Sequence, residues 1–303
     1  MTITHFSSLP VPWFIRIKFS YCEALLAAVA SSTLLTAHAD AVPTTIQSPN
    51  GRNSIALEAA GDQDGRVRYT VSRDGRKLIG PSVLGPVLDG GGPLDEGSRV
   101  LDVQPGKLDE TFQFHYGKTS TVTNRCSTAL VTLETPSHLR WQIELRAYDD
   151  GVAFRYRLLS QDGLREFKLR DEATQFAVEG EPTALYTGYD NFTTSHEGLY
   201  ERKPLTEVTA NKLLEMPLLL LWPKGPAAAI TEARVRHFAG MYLQRSADEP
   251  TTLRCRLSPL PSQPNVCVTG EMPHESPWRV VLLADHAGEL LESNLLLGLN
   301  DPT

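Results

Sequence analysis

The chain has 303 residues, 41% of them hydrophobic and 21% charged, and a formal net charge of −7. That length holds one large domain or two small ones, and the balance of residue types is that of a soluble globular protein. A net acidic chain with no run of five or more like charges excludes the clustered basic surface that nucleic acid requires.

The first segment carries Arg16 and Lys18, then an apolar, small-residue run over 24–36, then Ala37-His38-Ala39 before Asp40. This is the order of a cleavable secretory leader. Residues 1–39 are therefore expected to be removed, leaving a mature domain over 40–303 in the periplasm or outside the cell. The apolar run is shorter than the ~20 residues that span a bilayer, so no membrane anchoring is expected. Cys22 follows Tyr21 and not a small residue, which argues against lipidation. The mature region keeps Cys126, Cys255 and Cys267, an odd number and a poor disulfide framework. Cys255 and Cys267 flank a Pro-rich turn and are placed to face each other across a hairpin. No Cys or His spacing fits a zinc site.

From residue 42 on, strand signals dominate. Residues 54–58 alternate polar and apolar, and 66–73 alternate strictly, the period of a half-buried strand. Asp74-Gly75 closes a tight turn, and 76–79 returns as the partner strand. Further strands are predicted over 112–116, 128–134, 139–148, 152–158, 166–169, 216–222, 227–231, 241–243, 252–257 and 278–284, with Asp149-Asp150-Gly151 as a second hairpin turn. Helical signal is sparse: one short helix over 233–240 stopped by Gly240, and a helix beginning at 287 that becomes extended by 299. Short strands at regular spacing predict an all-β fold, and the number of strands suits a large two-sheet β-sandwich. The alternating strand–helix units of a barrel are absent from this pattern.

Four stretches in order carry a family resemblance. They are Arg146-Ala-Tyr-Asp-Asp-Gly-Val-Ala-Phe-Arg-Tyr156; His196-Glu197-Gly198-Leu199-Tyr200 with Leu205 beyond it; Ala229-Ile-Thr-Glu-Ala233 with Ala239-Gly-Met-Tyr-Leu243; and Pro277-Trp278-Arg279 with Glu292-Ser293-Asn294 and Leu299-Asn300. Together they resemble the N-terminal domain of glycoside hydrolase family 97, from about residue 48 to the C-terminus. The resemblance implies a β-super-sandwich of the galactose-mutarotase-like type. In the family this domain packs on a (β/α)8 barrel that holds the catalytic carboxylates, cleaves α-glucosidic or α-galactosidic bonds, and carries an active-site calcium to which the sandwich contributes one glutamate.

The matching glutamate here is Glu197. The family's usual Tyr-Glu-x-x-Tyr stretch reads His196-Glu197-Gly198-Leu199-Tyr200 in this chain, with His196 in place of a tyrosine. Glu201 and Glu207 are the next candidates. Tyr186, Tyr189, Phe192 and Tyr200 lie nearby, and Tyr200 is singled out as a residue to stack on a sugar. Trp222 reads as core, and Trp278 as core or domain interface.

The sequence ends where the family's barrel would begin, so no catalytic residue is carried over. The chain is expected to be inactive alone and to need calcium only together with a barrel. Its expected partners are an α-linked oligosaccharide and a separately encoded catalytic barrel. A free-standing secreted carbohydrate-binding module and a non-functional fragment of a split gene are the alternatives. Hydrolysis by this domain itself has no support, since glycosidases need two carboxylates ~5–9 Å apart across the scissile bond. A mutarotase-like Glu and His pair is a weaker reading still, because acid–base work needs a geometry that sequence does not supply.

Overall fold

The computed structural model describes residues 43–59, 64–115 and 117–301; the predicted leader over 1–39 lies outside them. The largest sheet has ten strands. Along its path they are Glu201–Pro204, Thr183–Tyr186, Leu218–Leu221, Ala227–Ala233, Trp278–Ala284, Gly151–Leu158, Arg140–Tyr148, Thr121–Glu134 and Arg99–Gln113, with His274–Glu275 paired onto Gly151–Leu158. Every pairing is antiparallel.

Three smaller antiparallel sheets accompany it. One is Thr44–Gln47, Asn53–Glu58, Arg68–Arg73 and Arg76–Val83. The second is Val268–Glu271, Glu166–Glu172, Pro86–Leu88 and Gly92–Pro93. The third is Gln175–Ala177, Thr252–Leu257, Met241–Arg245, Leu213–Leu214 and Gly188–Tyr189. The all-β prediction holds, with one layer built from three sheets instead of one.

Alternation along the strands decides what faces inward. Trp141, Ile143, Leu145 and Ala147 are buried on one face of Arg140–Tyr148, and Val152, Phe154, Tyr156 and Leu158 on the same face of its neighbour. They share one apolar core with Ile55, Leu57, Tyr69 and Val71 of the first small sheet and Phe176, Leu253 and Leu257 of the third. The Tyr69 and Phe154 rings meet at 4.8 Å across the layers. The Val, Leu, Ile and Phe side chains among them are worth about 1.5–3 kcal/mol each when buried.

Gly151–Leu158 and Trp278–Ala284 are buried on both faces almost throughout, which sheets covered on two sides require. The second face is covered by two short helices, Ala287–Leu290 and Leu295–Leu299. Leu295 and Leu299 pack there with Cys126, Tyr148, Ala153, Trp278, Val280 and Leu282. The predicted helix from residue 287 is thus two helices, and the chain turns between them at Ser293, whose hydroxyl donates to Asp150 at 2.6 Å.

The core also holds charge. Fully buried Arg279 is paired with fully buried Glu172, and its Nη1 donates to Glu232 at 2.6 Å. A buried cation is tolerated only when its charge and its donors are met, and two carboxylates from two strands meet them here.

Three expectations are corrected. Residues 233–240 form no helix: strand Ala227–Ala233 runs into an irregular segment in which Arg234 and His237 have positive φ, 56° and 48°. Arg234 is tied there by its N–H to Asn300 and by its guanidinium to Glu275, which outweighs a modest helix propensity. The strand placed at 112–116 is the end of a long edge strand, Arg99–Gln113. Its burial is slight and it contains Pro105, a residue that only an edge strand tolerates. Cys255 and Cys267 do not face each other across a hairpin: Thr252–Leu257 pairs with Gln175–Ala177 and Met241–Arg245, whereas Val268–Glu271 pairs with Glu166–Glu172. Both are free buried thiols, and the Cys267 thiol donates to the Arg170 carbonyl at 3.0 Å.

Candidate functional site

The segment between Gly188–Tyr189 and Glu201–Pro204 is a loop that contains the whole His196–Tyr200 motif. Its foot is set by strand pairing: Gly188 lies opposite Leu214, Tyr189 opposite Leu213, and the Glu215 N–H donates to the Thr187 carbonyl. This brings Glu215, distant in sequence, beneath the loop.

Gly198 is the anchor. A Cβ added there would lie 2.4 Å from Thr187 Cγ2 and 3.1 Å from Tyr189 Cε1, so only glycine lets the loop seat this closely. The Gly198 N–H donates to Tyr189 Oη at 3.3 Å, Tyr189 O–H donates to Glu215 Oε2 at 2.8 Å, and Glu215 Oε1 lies 2.6 Å from His196 Nδ1. Partial burial, and then this bond to Glu215, push the Tyr189 phenol above the ordinary tyrosine value. The His196 ring is stacked on Tyr242, with centroids at 6.2 Å, and Tyr189 meets its edge at 5.7 Å. Phe192 meets Tyr242 edge-on, with centroids at 5.5 Å. The loop's own turns are fixed by Asn191 accepting from the Thr193 N–H and Thr194 from the His196 N–H.

With its neighbours pinned, Glu197 points outward. It is exposed and has no hydrogen bond or ion pair among the described residues. Leu199 is 89% exposed and Tyr200 is 63% exposed beside it.

The four aromatic residues flagged near the motif therefore divide. Tyr186 is core, Tyr189 and Phe192 brace the loop, and Tyr200 alone is free to meet a ligand. Glu201 is engaged by Lys203 at 2.5 Å, which holds its carboxyl below the usual range, and it also accepts from Tyr186. Glu207 is exposed on the short turn Leu205–Glu207. Trp222 is core, its indole N–H donating to the Glu179 carbonyl. Trp278 is buried under the guanidinium groups of Arg146 and Arg155, each 4.5 Å from its ring. Sequence reasoning missed Glu215, which lies in none of the four motif stretches, and it gave Tyr242, although part of the Ala239–Leu243 stretch, no role beside the loop.

Among the described residues no three His, Cys, Asp or Glu side chains gather as a metal site. A cleft of about 650 Å³ on the Glu166–Glu172 sheet, floored by Leu88, Leu139, Leu164 and Phe167, includes no residue of the loop.

Comparison with known proteins decides the family. The profile of the glycosyl-hydrolase 97 N-terminal family matches residues 46–302. The chain belongs to that family.

Two family 97 relatives match most of it. The retaining α-galactosidase of Bacteroides thetaiotaomicron is 23% identical over 86% of this chain and 41% of its own length. The probable retaining α-galactosidase of Streptomyces bingchenggensis is 26% identical over 87% of this chain and 40% of its own. A family 97 enzyme from Pseudoalteromonas sp. strain K8, solved with panose and with acarbose, superposes with a TM-score of 0.78 at 26% identity, over 86% of this chain and 38% of that one. The chain thus spans about two fifths of the relatives it matches, as their N-terminal domain alone does.

Proposed function

We propose that this family 97 domain is the saccharide-facing support of an α-glycosidase barrel, not catalytic by itself, and that it lends Glu197 to a calcium ion at the barrel's active site. The observation that carries the reading is the uncommitted Glu197 carboxylate, held outward beside exposed Leu199 and Tyr200 and between His196 and Gly198, both of which are braced. A carboxylate paid for with so much local order, yet bonded to nothing, is suited to a ligand from outside the domain.

The residues fit the ion in part. Calcium takes six to eight oxygens, and one glutamate supplies one or two. Without two further ligand side chains in reach, the remaining oxygens are those of a barrel and solvent. When bound, such an ion supplies positive charge next to the reacting sugar. Glu197 would orient that ion, Tyr200 would offer its ring face to a pyranose, and Leu199 would be covered by the barrel. The saccharide class is an α-linked oligosaccharide, in keeping with relatives described as α-galactosidases and with the panose and acarbose complexes. The domain is exported after removal of residues 1–39.

Hydrolysis requires an acid and a second carboxylate on either side of the bond, and the proposal assigns both to the barrel. The purified chain should therefore leave nitrophenyl α-glucoside and nitrophenyl α-galactoside intact. Turnover well above buffer that disappears on mutating a residue of this chain would overturn the reading.

A further inference from the structure

We propose that Glu215 and Tyr189 are positioning residues that fix the direction of the Glu197 carboxylate, by closing a ring of contacts around its peptide. The inference rests on the functional reading of Glu197 given above, and it names residues that the motif itself does not contain.

The ring can be followed atom by atom. Glu215 uses both carboxylate oxygens, one at 2.6 Å from His196 Nδ1 and the other accepting from Tyr189 O–H at 2.8 Å. Tyr189 Oη in turn accepts from the Gly198 N–H at 3.3 Å. His196 and Gly198 are the two neighbours of Glu197, so one carboxylate grips the chain on both sides of it.

His196 adopts φ of 60°, a conformation that costs a non-glycine residue energy and persists only where contacts over-determine it. Those contacts are present: Glu215 at one ring nitrogen, Tyr242 Oη at 3.4 Å from the other, and the Tyr242 face behind. Gly198 cannot retreat on its side, because Thr187 and Tyr189 fill the space where a side chain would be. Glu215 is itself immobilised by its backbone bond to Thr187 at the end of strand Leu213–Leu214. The exposed acid thus stands on a rigid sheet and not on a free loop. This is how an outer ring of partners fixes a ligand side chain, and removing such a partner typically costs 10–100-fold in metal affinity or activity. The His196 imidazole reaches the Glu215 carboxylate with one nitrogen while offering the other to Tyr242.

The test uses Tyr189→Phe, which removes only the shared hydroxyl; Glu215→Ala, which opens the ring; and Glu215→Gln, which keeps an acceptor for Tyr189 and a donor for neutral His196. Backbone NMR order parameters for residues 196–199 should fall from about 0.85 to below 0.6 in Glu215→Ala and to an intermediate value in Tyr189→Phe. They should stay near wild type in Glu215→Gln, with the strands unchanged in all three. Unchanged order in both ring-opening variants would overturn the ring.

In a complex with a family 97 barrel, Glu215→Ala should lower activity at least tenfold, and it should add nothing further in a Glu197→Gln background. Independent, additive losses would show that Glu215 does not act through Glu197 and would overturn the positioning role. If Glu197→Gln is itself without effect, the calcium reading fails, whereas the order parameters still decide whether the ring holds the loop.

Discussion

Asp285 sits between two guanidinium groups at the end of strand Trp278–Ala284. Arg52 reaches its carboxylate at 2.8 and 3.1 Å and Arg73 at 2.8 and 3.0 Å. Hydrogen bonds from Arg52, and then from Arg73, hold the Asp285 carboxyl down to about 2. Its unfolded value is near 3.9, so the folded form binds its proton less readily. The clamp therefore contributes stability above about pH 4, and that contribution is lost as pH falls toward 2. Half of the side chain faces water, so the gain is on the order of 1 kcal/mol or less. Asp285→Asn should lower the melting temperature slightly at pH 7, and the gap to wild type should close between pH 4 and pH 2. A gap that persists at pH 2 would mean the carboxylate is not its source.

The buried Arg279 predicts a larger effect with the same logic. Arg279→Ala leaves Glu172 and Glu232 facing each other in the core without a cation. Breaking such a pair costs about 3–5 kcal/mol. Burial already raises the Glu232 carboxyl above its ordinary value, so acid should neutralise the orphaned pair. The variant's deficit in denaturant midpoint should accordingly shrink from pH 7 to pH 5.

Among the elements, the hairpin at Asp149-Asp150-Gly151 is the least forgiving. Gly151 pairs with Tyr148 on one side and Leu282 on the other. A Cβ there would lie 2.5 Å from the Val281 carbonyl oxygen and 3.0 Å from Leu282 Cα, both backbone atoms that cannot swing aside. Gly151→Ala should cost about 1–3 kcal/mol, the usual penalty of overpacking, and urea unfolding should show it as a lower midpoint at unchanged slope. A neutral outcome would place this turn outside the cooperative core.

At one edge of the large sheet, Arg99–Gln113 has a side unpaired by any strand among the described residues. It carries Pro105, Lys107, Asp109 and Glu110 along its length, the residues by which sheet edges avoid pairing with other chains. Those same residues hid the strand in the sequence. A run broken by Pro-Gly and studded with charge lacks the apolar alternation that marked 66–73 and 139–148. The false helix at 233–240 has the complementary cause. Ala-Arg-Val-Arg-His-Phe-Ala has no strand period, but ion pairs of Arg234 and Arg236 with Glu275 and Asp301 hold it irregular.

At the scale of the whole molecule, the layered all-β architecture was legible because strict alternation survives wherever one face of a strand meets the core. Glu197 was singled out only through the ordered set of four motifs. Its setting was not legible: Glu215 is brought under the loop by pairing of Gly188–Tyr189 with Leu213–Leu214, a contact that no local pattern announces. The same setting leaves the Glu197 carboxylate outward and unpaired, flanked by exposed Leu199 and Tyr200. On the proposed reading, a barrel covers these apolar groups and completes the ligand set of the cation.

That claim is tested most directly by calorimetric calcium titration of the domain alone, and of its complex or fusion with a family 97 barrel that restores hydrolysis, each as wild type and as Glu197→Gln. The isolated domain should bind calcium no tighter than roughly millimolar, the weak end of protein sites. The wild-type complex should bind it at least tenfold tighter than the Glu197→Gln complex, with the melting temperature of the sandwich unchanged by the substitution. Equal calcium affinity for the two complexes would contradict the account.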